Sequence, residues 1–209
     1  MKIAVVCANG KAGRLIVEEC LSLGAQVTAV VRGENKSAAP QALNKDLFDL
    51  TPEDLKGYDV VVDAFGAWTP ETLGQHGTSL KHLCDLLSGT QTRLIVVGGA
   101  GSLYTDASHT TRVMDGPDFP DAFKPLARNM GEALEALRLR GDVRWTYISP
   151  AADFNFEAEA TGKYLWGGEE LPVNSSGVSA VGYADYAKAV AEEIARGAHI
   201  GQRISVCAR

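Results

Sequence analysis

Residues 7–13 read Cys7-Ala8-Asn9-Gly10-Lys11-Ala12-Gly13, between the apolar run Ile3-Ala4-Val5-Val6 and the segment Arg14-Leu15-Ile16-Val17. The first run is continuously apolar, as a strand buried on both faces must be. From Ala12 onward apolar residues recur at Leu15, Ile16, Cys20 and Leu23, the spacing of one helix face. Gly24 then supplies a stop. The stretch is therefore a glycine-bearing turn from a strand into a helix. Gly10 lets the backbone approach a pyrophosphate, Gly13 lets the helix pack close to the sheet, and the free N–H groups of the first helical turn face the anion. A plain tight strand–helix junction would read the same in isolation. Cys7 stands where a first glycine is expected, and it keeps the turn provided that its φ stays negative.

The same alternation continues outward. Buried-type strands are expected at Val27–Val31, Val60–Val62, Leu94–Val97, Trp145–Ile148 and Ile204–Val206. Helices are expected to open at Thr51-Pro52-Glu53 and at Thr69-Pro70-Glu71, the latter running through Leu87. Two more are expected over Leu126–Leu139 and Tyr183–Arg196. Gly33–Ala42 reads as loop, and Tyr164–Val173 as a hairpin or short strands. Strands alternating with helices imply a parallel sheet covered on both faces, in a doubly wound α/β layout. Residues 1–209 are expected to form one such domain with a small C-terminal substrate-side portion. Ligands of such sheets bind at the carboxyl ends of the strands. Those ends carry Cys7, Arg32, Ala64-Phe65-Gly66, Gly98-Gly99 and Ser149-Pro150.

Composition narrows the function. The formal net charge is −6 and no basic run occurs, which argues against nucleic acid as a partner. No apolar segment approaches the about 20 residues needed to span a bilayer. The few apolar residues after Lys2 are too short for a signal peptide. Cys7, Cys20, Cys84 and Cys207 show no paired spacing, so reduced thiols and a cytoplasmic location are expected. His76, His82, His109 and His199 show no metal-ligand spacing. A small molecule remains as the expected partner, with the oligomeric state open.

The end of the second strand bears on which nucleotide is held. An acid at this point bonds a ribose 2′-hydroxyl, whereas arginine grips a 2′-phosphate. Arg32 occupies it, with Glu34 two residues on. NADP(H) is therefore the expected cofactor, with NAD possible and a plain surface arginine as the other reading. Asp46, followed by Leu47, is placed to bond the adenine amino group or to be an ordinary loop carboxylate.

Over essentially the whole chain the sequence resembles the atypical short-chain dehydrogenase/reductase group that binds NAD(P)H. More narrowly, it resembles the NADH-flavin reductase-like members with NmrA-like and biliverdin reductase B-like kin. Residues 7–13 are similar to that group's GATGxxG turn. Gly98-Gly99-Ala100-Gly101-Ser102-Leu103 resembles its GGAGSL segment, and Trp145-Thr146-Tyr147-Ile148-Ser149-Pro150-Ala151 its WTYISPA strand end. Thr161-Gly162-Lys163-Tyr164 and Asp185-Tyr186-Ala187 match two further motifs. Cys7 for glycine and Asn9 for threonine are departures that bear on cofactor affinity, not on the fold. The resemblance implies a Rossmann fold, a nicotinamide cofactor and reductase activity, with flavin as a candidate substrate. It implies a cofactor site drawn from Cys7 to Gly13, Arg32, Asp46, Leu47, Ala64, Phe65, Gly66, Gly98, Gly99, Pro150 and Ala151. Pro150-Ala151 would lie beside the nicotinamide. Ser102 would orient the substrate, with Leu103 and Phe154 in its pocket.

Standard members of this superfamily use a Tyr-x-x-x-Lys pair to give a proton to a forming alkoxide. None occurs in the chain, and the matching places hold Phe123 and Ala127. Reduction of a simple carbonyl by that route is therefore not expected. Hydride transfer to a flavin demands less, because the acceptor's own ring spreads the charge. Phe154, Trp68 and Trp166 are candidates to stack such a ring. The alternatives are a non-catalytic NAD(P) sensor of the NmrA-like kind and an epimerase or dehydratase.

Overall fold

A computed structural model describes all of residues 1–209. The elements are β1 (Lys2–Val6), α1 (Lys11–Ser22), β2 (Gln26–Val31), β3 (Gln41–Asn44), α2 (Pro52–Leu55), β4 (Val60–Asp63) and α3 (Gln75–Leu87). After these come β5 (Arg93–Val97), α4 (Lys124–Arg138), β6 (Arg144–Pro150), β7 (Asp153–Asn155), β8 (Tyr164–Gly167), β9 (Ala180–Gly182), α5 (Tyr183–Arg196) and β10 (Gln202–Ala208). One eight-stranded sheet has the order β3-β2-β1-β4-β5-β6-β10-β8. All its neighbours are parallel except β8, which runs antiparallel to β10. A separate parallel pair, β7 and β9, stands off it.

The sheet is doubly wound, as the alternation requires. On one face, Ile16, Val17 and Cys20 of α1 and Tyr186, Val190 and Ile194 of α5 pack against Ile3, Val5, Ile148 and Ile204. On the other, Leu80, Leu83 and Leu87 of α3 and Leu134 and Leu137 of α4 pack against Val6, Val61, Leu94 and Trp145. The order reverses at β1, where chain connections leave toward β2 on one side and β4 on the other. The carboxyl ends of β1, β2 and β4 therefore open a crevice there.

Two expectations are corrected and a third is narrowed. Gly33–Ala42 is not all loop, since β3 begins at Gln41. Gln-Ala-Leu-Asn on an exposed edge carries no apolar alternation to betray it. The helix expected at Thr69 starts only at Gln75. The Thr69 and Thr72 hydroxyls hydrogen-bond each other at 3.0 Å, and Thr72 also bonds the Thr69 carbonyl. These side chains compete with the helical backbone pattern and hold a turn instead. Of the two readings of Tyr164–Val173, the short strand holds: Tyr164–Gly167 is strand and pairs with β10, so no hairpin forms.

At the amino edge of the sheet a charged network is buried. The Arg93 guanidinium pairs with the Glu193 carboxylate and donates to the Glu193 carbonyl (3.0 Å) and Thr146 Oγ1 (2.7 Å). His199 donates its backbone N–H to Glu193 Oε1 (3.0 Å), and its Nδ1 lies 2.7 Å from Oε2. Burial pushes the Glu193 carboxyl up, but the bonds from Arg93 and His199 outweigh it and hold the group below its ordinary range. The depressed value means that the stabilisation is present above the ordinary glutamate range and lost as the pH falls through the folded value. Glu193→Ala should cost about 3–5 kcal/mol in urea denaturation at neutral pH, because it strands the Arg93 charge. The variant should also lose part of the wild type's acid-side fall in stability.

Candidate nucleotide-binding site

The crevice is built around Gly13. A Cβ there would lie 2.6 Å from the Cys7 carbonyl oxygen and 2.9 Å from Ala8 Cα. Both are backbone atoms that cannot yield, so only glycine lets α1 start this close to the end of β1. Gly10 is the N-cap in extended conformation, and its own Cβ would be 3.3 Å from the same oxygen. The first helical bond runs from the Arg14 N–H to the Gly10 carbonyl at 3.0 Å. The N–H groups of Lys11, Ala12 and Gly13 precede it and remain for a ligand. No acidic side chain lies in this first turn. A cradle that a Cβ would fill, lined by helix-start N–H groups, fits a pyrophosphate.

Cys7 corrects the expectation of negative φ. Its φ is +60°, in the left-handed region that glycine enters freely and other residues enter at a cost. The bend is held because the Cys7 N–H donates to Val30 (3.0 Å) and its carbonyl accepts from Gly10 (2.9 Å). Burial, then the Asp63 charge, pushes the Cys7 thiol up to about 12. The group stays a thiol at neutral pH and is no nucleophile.

Asn9 ties the turn to the loop after β2. Its Nδ2 donates to the Glu34 carbonyl at 2.9 Å, and its Oδ1 accepts the Lys36 N–H at 2.7 Å. That brace sets the loop in which Arg32 lies. The Arg32 side chain is 84% exposed, with Nε 3.9 Å from Asp46 Oδ2. Asp46 Oδ1 is already engaged, capping the Phe48 N–H at 2.9 Å. Leu47 is buried in the core below, so only its backbone is available at the rim.

Across the crevice, Ala64 continues β4, its N–H donating to Val6 (3.2 Å). The Phe65 N–H donates to Asp63 Oδ1 at 3.0 Å. Asp63 is buried at the crevice floor, and burial lifts its carboxyl to about 6 against the pull of that bond. An acid closing the run Val60-Val61-Val62 was the available sequence signal for it. His76 lies within hydrogen-bonding distance of the Ala67 backbone (3.1 Å to the carbonyl) and packs edge-on to Phe65. Burial lowers its pKa and keeps it neutral. Trp68, next in this loop, is 71% exposed.

The far wall comes from β5 and β6. Pro150 and Ala151 are buried at the end of β6. Gly98 lies against the Tyr147 ring, which any Cβ would overlap, and Tyr147 Oη accepts the Gly99 N–H at 3.2 Å. Ser102 and Leu103 follow in the loop after β5. The Ser102 hydroxyl is buried against Arg203 Nη1 (3.0 Å), beside Gly131 in the middle of α4. Leu103 is fully buried. Both are buried, because the glycines before them bring the chain close against α4. Phe154 stacks on Tyr183, ring centroids 3.7 Å apart. Trp166 packs edge-on to Tyr164 within the sheet. No helix of the chain is long and apolar enough to cross a membrane.

Comparison with known proteins agrees with this geometry. Residues 7–195 match the family described as NAD(P)H-binding. The chain belongs to that family. The protein YwnB of Bacillus subtilis (strain 168) is 43% identical over 209 residues, covering 99% of this chain and 98% of its own. A crystal structure from Streptococcus pneumoniae TIGR4, of a protein proposed to be an NADH-flavin reductase, shares 51% identity with a TM-score of 0.98 over 100% of both chains. Another, from Bacteroides thetaiotaomicron and proposed to be an epimerase, shares 30% identity with a TM-score of 0.86, covering 99% of this chain and 96% of its own.

The backbone at residue 7 can be tested directly. Cys7→Gly should stay within about 1 kcal/mol of the wild type. Relief of roughly 1–2 kcal/mol of left-handed strain is offset by the unfolded-state entropy of glycine. Cys7→Val should lose about 2 kcal/mol or more, since a β-branched residue tolerates this φ worst. Urea midpoints of the two variants decide it; equal losses would mean that residue 7 is not held at positive φ.

Proposed function

We propose that the chain is an NAD(P)H-dependent oxidoreductase that passes a hydride to a flavin or another planar acceptor. The observation that carries this reading is a crevice built for a dinucleotide with no Tyr-x-x-x-Lys pair at the start of α4. There Phe123 is 56% exposed and Ala127 is buried. A Cβ on Gly101 would lie 2.5 Å from Ala127 Cβ, so a lysine at 127 would collide with the β5–α4 loop. The Tyr-x-x-x-Lys route to a forming alkoxide has no footing here.

The cofactor would be held by the N–H groups of Lys11, Ala12 and Gly13 at the pyrophosphate. Arg32 and Asp46 would meet it at the adenosine end, the backbone of Ala64–Gly66 along the ribose, and Pro150-Ala151 beside the nicotinamide. When bound, the reduced nicotinamide supplies the hydride. The residues of the chain align and shield the two rings, which is where most of the rate advantage arises when proton transfer is left to solvent. Trp68 is the aromatic candidate left free to meet an acceptor, since Phe154 and Trp166 already pack on neighbours. The likeness to a protein proposed to be an NADH-flavin reductase supports the same acceptor class.

The exposed, loosely paired Arg32 supports a preference for the phosphorylated cofactor. Arg32→Ala should weaken NADPH by about tenfold more than NADH, the scale of one charge-assisted contact. Equal losses in titrations with both cofactors would remove the assignment.

Turnover separates the enzyme from a nucleotide sensor. NADPH oxidation should run well above blanks with FMN, riboflavin or a quinone, and at blank level with small aldehydes and ketones. Tight NADPH binding with no oxidation by any planar acceptor would favour the sensor reading, and fast ketone reduction would reveal a proton donor at the crevice.

A further inference from the structure

Beyond β6 the chain makes β7, passes close against Gly182 at Ala158 and returns as β8. The crossing is anchored at both ends. At its start β7 pairs with β9, and Phe154 stacks on Tyr183 at the head of α5, the rings 13° from parallel. At its end the buried carboxylate of Asp185 accepts the Thr161 hydroxyl (2.7 Å), the Thr161 N–H (3.0 Å to the same oxygen) and the Gly162 N–H (2.7 Å). Between these anchors Phe156 lies edge-on to Tyr183, centroids 5.5 Å apart. The face of Phe156 carries the ammonium of Lys11, 4.5 Å from the ring centroid. Lys11 is the first residue of α1, so its side chain springs from the rim of the glycine cradle. It makes no ion pair with any carboxylate, although the chain has 26 of them.

We propose that Phe156 is a positioning residue for the nucleotide. It holds the Lys11 ammonium over the cradle, so that this charge and the helix-start N–H groups grip the pyrophosphate from two sides. The inference rests on the dinucleotide reading of the crevice and adds a strap, residues 156–160, to it. A ring suits the task better than a carboxylate. It orients the cation without neutralising it, and so leaves its charge for the phosphates. A flexible lysine side chain that is already oriented also loses less freedom when the ligand arrives.

The test is an equilibrium titration of the full chain with NADPH and with adenosine 2′-monophosphate, which lacks the pyrophosphate. The proteins are the wild type, Lys11→Met, Phe156→Leu, Phe156→Tyr and the Lys11→Met/Phe156→Leu pair, each checked for an unchanged melting temperature. Lys11→Met should weaken NADPH about tenfold. Phe156→Leu should weaken it about three- to fivefold, the scale of a cation–π contact near the surface, and Phe156→Tyr should restore it. On the Lys11→Met background, Phe156→Leu should have no further effect, because the two act as one unit. None of the variants should change the affinity for adenosine 2′-monophosphate. The proposal is overturned if Phe156→Leu leaves NADPH binding intact, if the loss is shared by the pyrophosphate-free ligand, or if it persists in full without Lys11. A wild type that binds neither NADPH nor NADH would instead overturn the dinucleotide reading beneath it.

Discussion

The contact between the start of α1 and the end of β1 governs the rest of the site. With 2.6 Å between a would-be Cβ on Gly13 and the Cys7 carbonyl, the helix axis is brought as near to the strand as two backbones allow. The consequences follow in order. The first-turn N–H groups point over the strand end and not into solvent-filled space. Lys11 is carried to the cradle's mouth. Asn9 is presented to the loop after β2, where its two hydrogen bonds position the segment following Arg32. On the same face α1 packs against α5, whose Ala187, Ala189 and Ala191 are fully or almost fully buried. Small residues on one helix accept the close approach that glycine imposes on the other.

A second set of glycines does the opposite work. Gly98, Gly99 and Gly101 bring the chain leaving β5 against Tyr147, Met130 and Ala127, and so fill the space at the start of α4. Below them Ser102 meets Arg203, which pairs with Glu169, which is held in turn by Arg138 at 2.7 Å. The segment reads as a ligand loop by composition, yet its glycines close a core. One group of glycines opens room for an anion and the other removes room for a lysine. Both facts favour an acceptor that needs alignment more than protonation.

The legibility of the sequence divides along the same line. The doubly wound sheet was readable because strands buried on both faces are uniformly apolar, as in Val60-Val61-Val62, and because α5 matches its expected bounds, Tyr183–Arg196, to the residue. The cradle was readable because strand, glycine turn and helix are contiguous. Edge strand β3 was not, since an exposed four-residue strand needs no apolar pattern. Partnerships distant in sequence were also hidden. Thr161-Gly162 and Asp185 look like separate motifs until their hydrogen bonds join them. The pairing of Lys11 with Phe156 spans 145 positions of chain and has no local signature. The bond from Arg203 to the Ser102 hydroxyl is equally hidden, because the two residues lie 101 positions apart.

Cys7 shows how the site tolerates a departure at its most constrained turn. A side chain at φ +60° must be short, and it must find somewhere to lie. The thiol lies half-buried beside Asp63; burial and then the Asp63 charge push the thiol up, and burial lifts the Asp63 carboxyl. The thiol therefore stays neutral, and burial holds the Asp63 carboxyl beside it at about 6. An anion bound over this floor meets a small neutral sulfur and a carboxyl whose hydrogen bond comes from the Phe65 N–H on the opposite side of the crevice. Cysteine here substitutes for glycine in bulk, not for a nucleophile in chemistry. On the proposed function, the redox chemistry falls to the nicotinamide that the cradle would hold.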